Sequence, residues 1–199
     1  MGNINSAILC EEEIEAIKST TVFEYAEIEH LFERFLYLDK MNYGYLTYNE
    51  LNNIPEFEIN PFNKLIINAL EKKMDYENIS FPCFLSFLEI FHRKTDKIIR
   101  IQFLFDIFDL NRDGRLCKSV LNRICMLMGK SGHGEAEYVL EIFDRNNKGF
   151  LDMNDFIFFY DSDPNIEKNM VIDYSKNIKQ PQKVGFLDII VPSWSKKSE

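Results

Sequence analysis

Nowhere in these 199 residues do apolar side chains run for the roughly 20 positions needed to cross a bilayer. The first residues carry neither the basic stretch nor the apolar stretch of a secretory signal, so the chain is expected to be cytosolic or cytosol-facing. Clustered cations are missing too. Acidic residues outnumber Lys and Arg 32 to 23, a formal charge of -9, which argues against nucleic acid as a partner. The four cysteines, Cys10, Cys83, Cys117 and Cys125, form no CxxC pair and have no histidine at zinc-finger spacing. They read as reduced thiols or small core residues. His30, His92 and His133 stand in unrelated contexts, and no G-x-S-x-G, P-loop or HExxH occurs. No catalytic constellation is visible, so the chain is not expected to be an enzyme.

Aromatic and aliphatic residues are abundant. Hydrophobic content is 46%, with 18 Phe. An apolar helix, a polar turn, an Ile or Leu, and a second apolar helix recur about every 35 residues. Residues 109–120, DLNRDGRLCKSV, carry the D-x-N-x-D-G run of a calcium (Ca2+) loop. Asp109, Asn111 and Asp113 are its candidate side-chain ligands, and the Arg115 carbonyl is a fourth. Gly114 supplies the sharp turn, and Leu116 is placed to pair with a sister loop. That sister is DRNNKGFLDMND, residues 144–155, with Asp144, Asn146, the Phe150 carbonyl, Asp152 and Asp155 in the corresponding slots. Upstream, DKMNYGYLTYNE at 39–50 keeps Asp39, Gly44, Leu46 and Glu50, and KKMDYENISFPC at 72–83 keeps Ile79. Apolar residues at helical spacing flank these loops, for example Ile28, Leu31, Phe32 and Phe35, then Phe62, Leu65, Ile66 and Leu70.

The expected fold is therefore all-α. Four helix-loop-helix (EF-hand) units form two lobes, each pair of loops joined by a short β-bridge, with a C-terminal tail. The boundaries are an N-terminal segment and first helix at 1–22, an N-terminal lobe at 23–95, a C-terminal lobe at 96–162 and a tail at 163–199.

Calcium needs six to eight oxygens, and the last loop position normally supplies a bidentate Glu. Loop one offers Met41 and Tyr43 where oxygens belong; loop two opens with Lys72 and ends with Cys83. Both read as scaffold. Loop three ends in Val120, and loop four puts Lys148 at a ligand position and closes with the shorter Asp155. Weak calcium binding at loops three and four is the most that this donor set supports, which disfavours a calcium sensor.

Paired EF-hands can expose an apolar groove that takes an amphipathic partner helix. Phe84, Leu85, Phe87, Leu88 and Phe91, with Leu121, Ile124, Cys125 and Met128, are groove candidates; the other reading places all of them in lobe cores. The tail holds an apolar patch from Val184 to Trp194 that reads as a docking element rather than a plain linker. The chain begins MGNINS, matching M-G-x-x-x-[ST], so myristate on Gly2 is expected. One acyl chain anchors only marginally, so a membrane-embedded partner would be the second attachment.

The segments MGNINSAILCEEEIEAIKSTTVF and LDKMNYGYLTYNELNNIPEFEINPFNKLIINAL resemble the calcineurin B homologous proteins, strongly over roughly the first 70 residues. Calcineurin B itself is a near relative. The resemblance implies a non-catalytic subunit that wraps an amphipathic cytosolic helix of a membrane transporter, a sodium/proton exchanger, at the cytoplasmic face of the plasma membrane. The alternative is the regulatory subunit of a calcineurin-type phosphatase, wrapping a helix of the catalytic subunit. The chain departs from the homologous proteins in its short linker at His92–Lys97, where it is similar to calcineurin B, and in the missing carboxylate that closes loop three. The tail after DPNIEKNM resembles the calcineurin-B-like proteins of plants.

Overall fold

The computed structural model describes residues 9–51, 53–54, 57, 60–73, 78–130, 132 and 134–175, without the side chains of 70–73. Helices dominate, which bears out the all-α expectation. The N-terminal half holds α1 (Glu11–Thr20), α2 (Tyr25–Leu38), α3 (Tyr48–Leu51), α4 (Asn63–Lys73) and α5 (Phe81–Glu89). The C-terminal half holds α6 (Lys97–Phe108), β1 (Leu116–Cys117), α7 (Lys118–Leu127), α8 (Glu135–Phe143), β2 (Phe150–Leu151), α9 (Met153–Ser162) and α10 (Pro164–Met170).

Local chemistry explains where these helices start. Glu27 Oε2 accepts the Glu24 N–H at 2.9 Å to open α2, and Ile28, Leu31, Phe35 and Leu38 then bury one stripe of it. Asp152 opens α9 by accepting from the Asp155 N–H, and Asp163 opens α10 by accepting from the Asn165 N–H. The exit helix of loop one is only Tyr48–Leu51; Glu50 turns back on the Thr47 N–H at 2.7 Å, so this carboxylate is spent on its own helix start.

The loops pair as their apolar eighth positions imply. Leu46 and Ile79 exchange backbone hydrogen bonds of 2.9 and 2.8 Å, and β1 pairs antiparallel with β2 through Leu116↔Leu151 and Cys117↔Phe150. Helix α6 buries Arg100, Ile101, Phe103, Leu104, Phe105, Ile107 and Phe108 and carries the junction between the halves. Phe62 meets Phe108 edge-on at 5.5 Å, and Phe91 meets Phe103 at 5.7 Å.

Sequence reasoning assigned everything after residue 162 to a tail, but α10 packs on α9 and residues 169–174 reach across to the N-terminal half. Asn60 Nδ2 donates to the Asn169 carbonyl at 2.6 Å, Ile172 N–H to the Phe91 carbonyl at 2.8 Å, and the Tyr174 hydroxyl to the Leu88 carbonyl at 3.0 Å. Tyr174 also packs against Phe23 and stacks with the buried His92, whose Nε2 lies 3.3 Å from Glu27 Oε1. The apolar patch from Val184 to Trp194 lies outside the described residues.

Tyr160 shows how this junction responds to base. Burial, and then its 2.5 Å hydrogen bond to Glu167 Oε2, hold the phenol protonated well above the ordinary tyrosine range. A folded-state pKa above the unfolded one stabilises fully below pH ~10, and that stabilisation fades as pH rises past 10. Unfolding free energies from urea titration should therefore fall from pH 10 to 11.5, with up to about 1.4 kcal/mol per pH unit coming from this group. Tyr160→Phe should flatten that decline, and an equally steep decline in the variant would refute the assignment.

Candidate functional site

Loops one, three and four share a backbone. Asn42, Arg112 and Asn147 at the fourth position have φ between 53° and 58°, and Gly44, Gly114 and Gly149 at the sixth have φ between 73° and 81°. Only the sixth position needs glycine outright, because a Cβ there would be strained whatever the space. In each loop the first-position Asp accepts the N–H of that glycine, at 2.7 Å in loop one, 2.8 Å in loop three and 2.6 Å in loop four. These three loops keep the calcium-loop path even where the ligand chemistry has gone.

Whether the side chains fit a calcium ion differs by loop. In loop three the Asp109 carboxylate accepts both the Asp113 and Gly114 N–H groups, and Asn111 Nδ2 donates to Asp113 Oδ2 at 2.8 Å. Asp113 Oδ1 accepts the Arg115 N–H. These are the right oxygens, but Cys117 stands at the ninth position and Val120 at the twelfth, leaving too few for a hard dication. A hydrogen bond with Ser119 and the Val120 N–H hold the Cys117 thiol below its usual range.

Loop four has more carboxylates and fits less well. The Lys148 ammonium lies between Asp152 Oδ2 and Asp155 Oδ2, paired with both. Those two bonds raise the Lys148 pKa, and the same contact lowers that of Asp152. Asp155 is 1% exposed, and its other oxygen takes Arg145 Nε at 3.3 Å. Asp144 Oδ1 is buried with no hydrogen-bond partner. An ammonium already occupies the acidic pocket, so the side chains as arranged do not fit a divalent cation. Among the described residues no group of three His, Cys, Asp or Glu side chains converges as a metal-holding cluster.

The groove candidates are buried here. Phe84, Leu85, Phe87, Leu88 and Phe91 on and after α5 are at most 2% exposed, Leu121, Ile124 and Cys125 on α7 at most 3%, and Met128 is partly buried against the same core. Residues 171–175 lie against the Leu88 and Phe91 carbonyls. Sequence reasoning passed over a different surface. Ile98 and Ile99 in the first turn of α6 are about half exposed. Ile99 and Ile90 line both of two adjoining depressions, of about 400 and 350 Å3, and Ile98 lines the second. Glu89, Asp96 and Asp106 stand in the walls. The signal was present in the sequence, since KIIRIQFLFDIF has more apolar residues than one buried stripe needs. Gly2 lies outside the described residues.

Comparison with known proteins follows the same outline. Residues 99–161 match the family described as an EF-hand domain pair. The chain is 34% identical over 159 residues to the type 2 calcineurin B protein of Dictyostelium discoideum, covering 77% of this chain and 86% of that protein. It is 28% identical over 183 residues to the type 1 calcineurin B protein of the same organism, covering 88% and 100%. To the calcineurin B protein of Naegleria gruberi it is 31% identical over 124 residues, covering 62% and 70%. The resemblance to the calcineurin B homologous proteins thus resolves to the broader kinship, with calcineurin B. The chain belongs to the calcineurin B family of EF-hand proteins and is a regulatory subunit, not an enzyme.

Proposed function

We propose that this chain is the regulatory B-type subunit of a calcineurin-like protein phosphatase and grips an amphipathic helix of the catalytic subunit with little dependence on calcium. The observation that carries the proposal is its 34% identity across 86% of a calcineurin B protein, an alignment long enough to span both lobes. The half-exposed Ile98 and Ile99, with Ile90 beside them and Glu89, Asp96 and Asp106 outnumbering Lys94 in the walls, suit an apolar helix face flanked by cations. This surface needs no rearrangement. Phe84, Leu88 and Phe91 are buried in the core, so their use as groove residues requires the core to open first.

Myristate on Gly2 and attachment to the cytoplasmic face of the plasma membrane belong to the same proposal, supported by the MGNINS start. A sodium/proton exchanger helix is the second reading, favoured by the first 70 residues. Affinity purification of the full-length chain from its own cells, with mass spectrometry, separates the two. A metallophosphatase catalytic chain should co-purify, and Ile99→Asp should reduce its yield at least about tenfold, the effect of losing one well-buried anchor. A multi-span transporter in its place overturns the phosphatase reading, as does the absence of both. Intact-mass measurement of the same sample shows whether Gly2 is acylated.

A further inference from the structure

We propose that loop four carries its own cation: the Lys148 ammonium takes the charge-balancing place of a metal ion and holds the C-terminal pair of loops in one conformation at any calcium level. The inference goes beyond the regulatory reading and does not depend on it.

Asp155 is the twelfth residue of the loop and lies in the first turn of α9, 1% exposed. A carboxylate buried there needs a cation, because an unpaired buried charge is strongly unfavourable. In a calcium loop the ion meets that need and draws the exit helix in. Here Lys148 Nζ meets it at Asp155 Oδ2 and reaches the Asp152 carboxylate as well, while the more exposed Arg145 stands 3.3 Å from the other Asp155 oxygen. Asp152 is the cap of α9, and its Oδ1 accepts the Asp155 N–H at 3.1 Å. One ammonium, on a side chain 20% exposed, therefore ties the loop to the start of its exit helix.

The tie continues into loop three. Lys148 Nζ stands 5.3 Å from the centre of the Phe150 ring, and the guanidinium of Arg115, the seventh residue of loop three, is 4.8 Å from the same ring. Phe150 pairs with Cys117 across the β1–β2 ladder. A merely incidental surface pair would not meet a carboxylate 1% exposed, a helix cap and the loop-pairing residue at once. The lysine also stands at the loop's fifth position, where an oxygen ligand normally lies. Asp144 Oδ1, buried without a partner at the first position, is the oxygen that the ammonium leaves unserved.

The test uses the full-length chain and two variants, Lys148→Met and Lys148→Asn, melted in EDTA and in 1 mM calcium. The amides of Gly149 and Gly114, each bonded to a first-position Asp, report loops four and three separately by NMR. In the unaltered chain the Gly149 amide should not move with calcium. Lys148→Met should lower the melting temperature by about 2–4 °C, and calcium should not restore it. Lys148→Asn should fall similarly in EDTA but recover in calcium, with a saturable shift of the Gly149 amide. A calcium-dependent Gly149 shift in the unaltered chain overturns the proposal, and so does a Lys148→Met chain that melts with it. A Lys148→Asn chain indifferent to calcium reduces Lys148 to an ordinary ion pair and sinks the substitution for metal. No partner is needed, so these outcomes bear on the calcium independence of the proposed subunit but not on which helix it grips.

Discussion

Phe156→Ala should lower the unfolding free energy by about 3–5 kcal/mol, the usual cost of emptying a fully buried aromatic site. Phe156 has no exposed surface and lies among four other rings, Phe105 at 5.4 Å, Phe108 at 6.1 Å, Phe159 at 5.9 Å and Tyr160 at 6.4 Å between centres. These rings come from α6 and α9, the entering helix of loop three and the exit helix of loop four. The cavity would therefore loosen the packing between α6 and α9, whose loops the β1–β2 pairing joins. Total stabilities of about 5–15 kcal/mol leave little margin for such a loss. Urea denaturation followed by circular dichroism gives the value; a loss under about 1.5 kcal/mol would mean that the site collapses onto smaller side chains and is not the keystone of the lobe. Phe156→Leu, which keeps most of the volume, should cost about half as much or less.

The loops were legible because calcium-loop spacing is local. Asp109, Asn111, Asp113, Gly114 and Leu116 declare themselves within eight residues, and their sister set in loop four follows the same rhythm. Pairing of the eighth positions followed from that register. The sequence also showed that Lys148 stood at a ligand position. It could not show which carboxylates the ammonium would take, because a four-carbon side chain can turn to solvent or inward with the same spacing. The groove and core readings of Phe84, Leu88 and Leu121 were inseparable for a similar reason. Helical periodicity tells which side chains share a face but not what covers it. Contacts between distant segments left no trace. Glu27 meets His92 across 65 residues, and Asn60 meets Asn169 across 109. For this reason residues 163–175 read as tail although 169–174 complete the N-terminal half.

That completion depends on Arg100, and Arg100→Ala should cost about 3–5 kcal/mol, the loss seen when one member of a buried charged network is removed. Its Nη1 donates to the His92 and Thr95 carbonyls at 3.1 and 2.7 Å, fixing the linker between the lobes. Its Nη2 donates to Glu167 Oε1 at 2.7 Å, and Glu167 Oε2 in turn accepts the Tyr160 hydroxyl. One guanidinium thus joins the linker, α9 and α10. Arg100→Lys should recover only a small part of the loss, since an ammonium cannot address two carbonyls and a carboxylate with a planar fork. The consequence reaches beyond stability. Residues 171–175 follow directly from α10, and the Ile172 N–H is bonded to the Phe91 carbonyl. Releasing Glu167 should free that stretch, so amide exchange at Ile172 should accelerate at least about tenfold in Arg100→Ala, the effect of about 1.4 kcal/mol on a local opening equilibrium. Glu167→Gln, which keeps the length but weakens the ion pair, should give an intermediate rate. If Ile172 exchanges at its original rate in both variants, the segment is held by the Tyr174 and Asn60 contacts instead, and Arg100 serves the linker alone. The distinction decides how residues 171–175 come off the end of α5. A strap held by one charged network can be released by a partner that competes for Glu167, whereas one held along its whole length can be lifted only at the cost of the core beneath it.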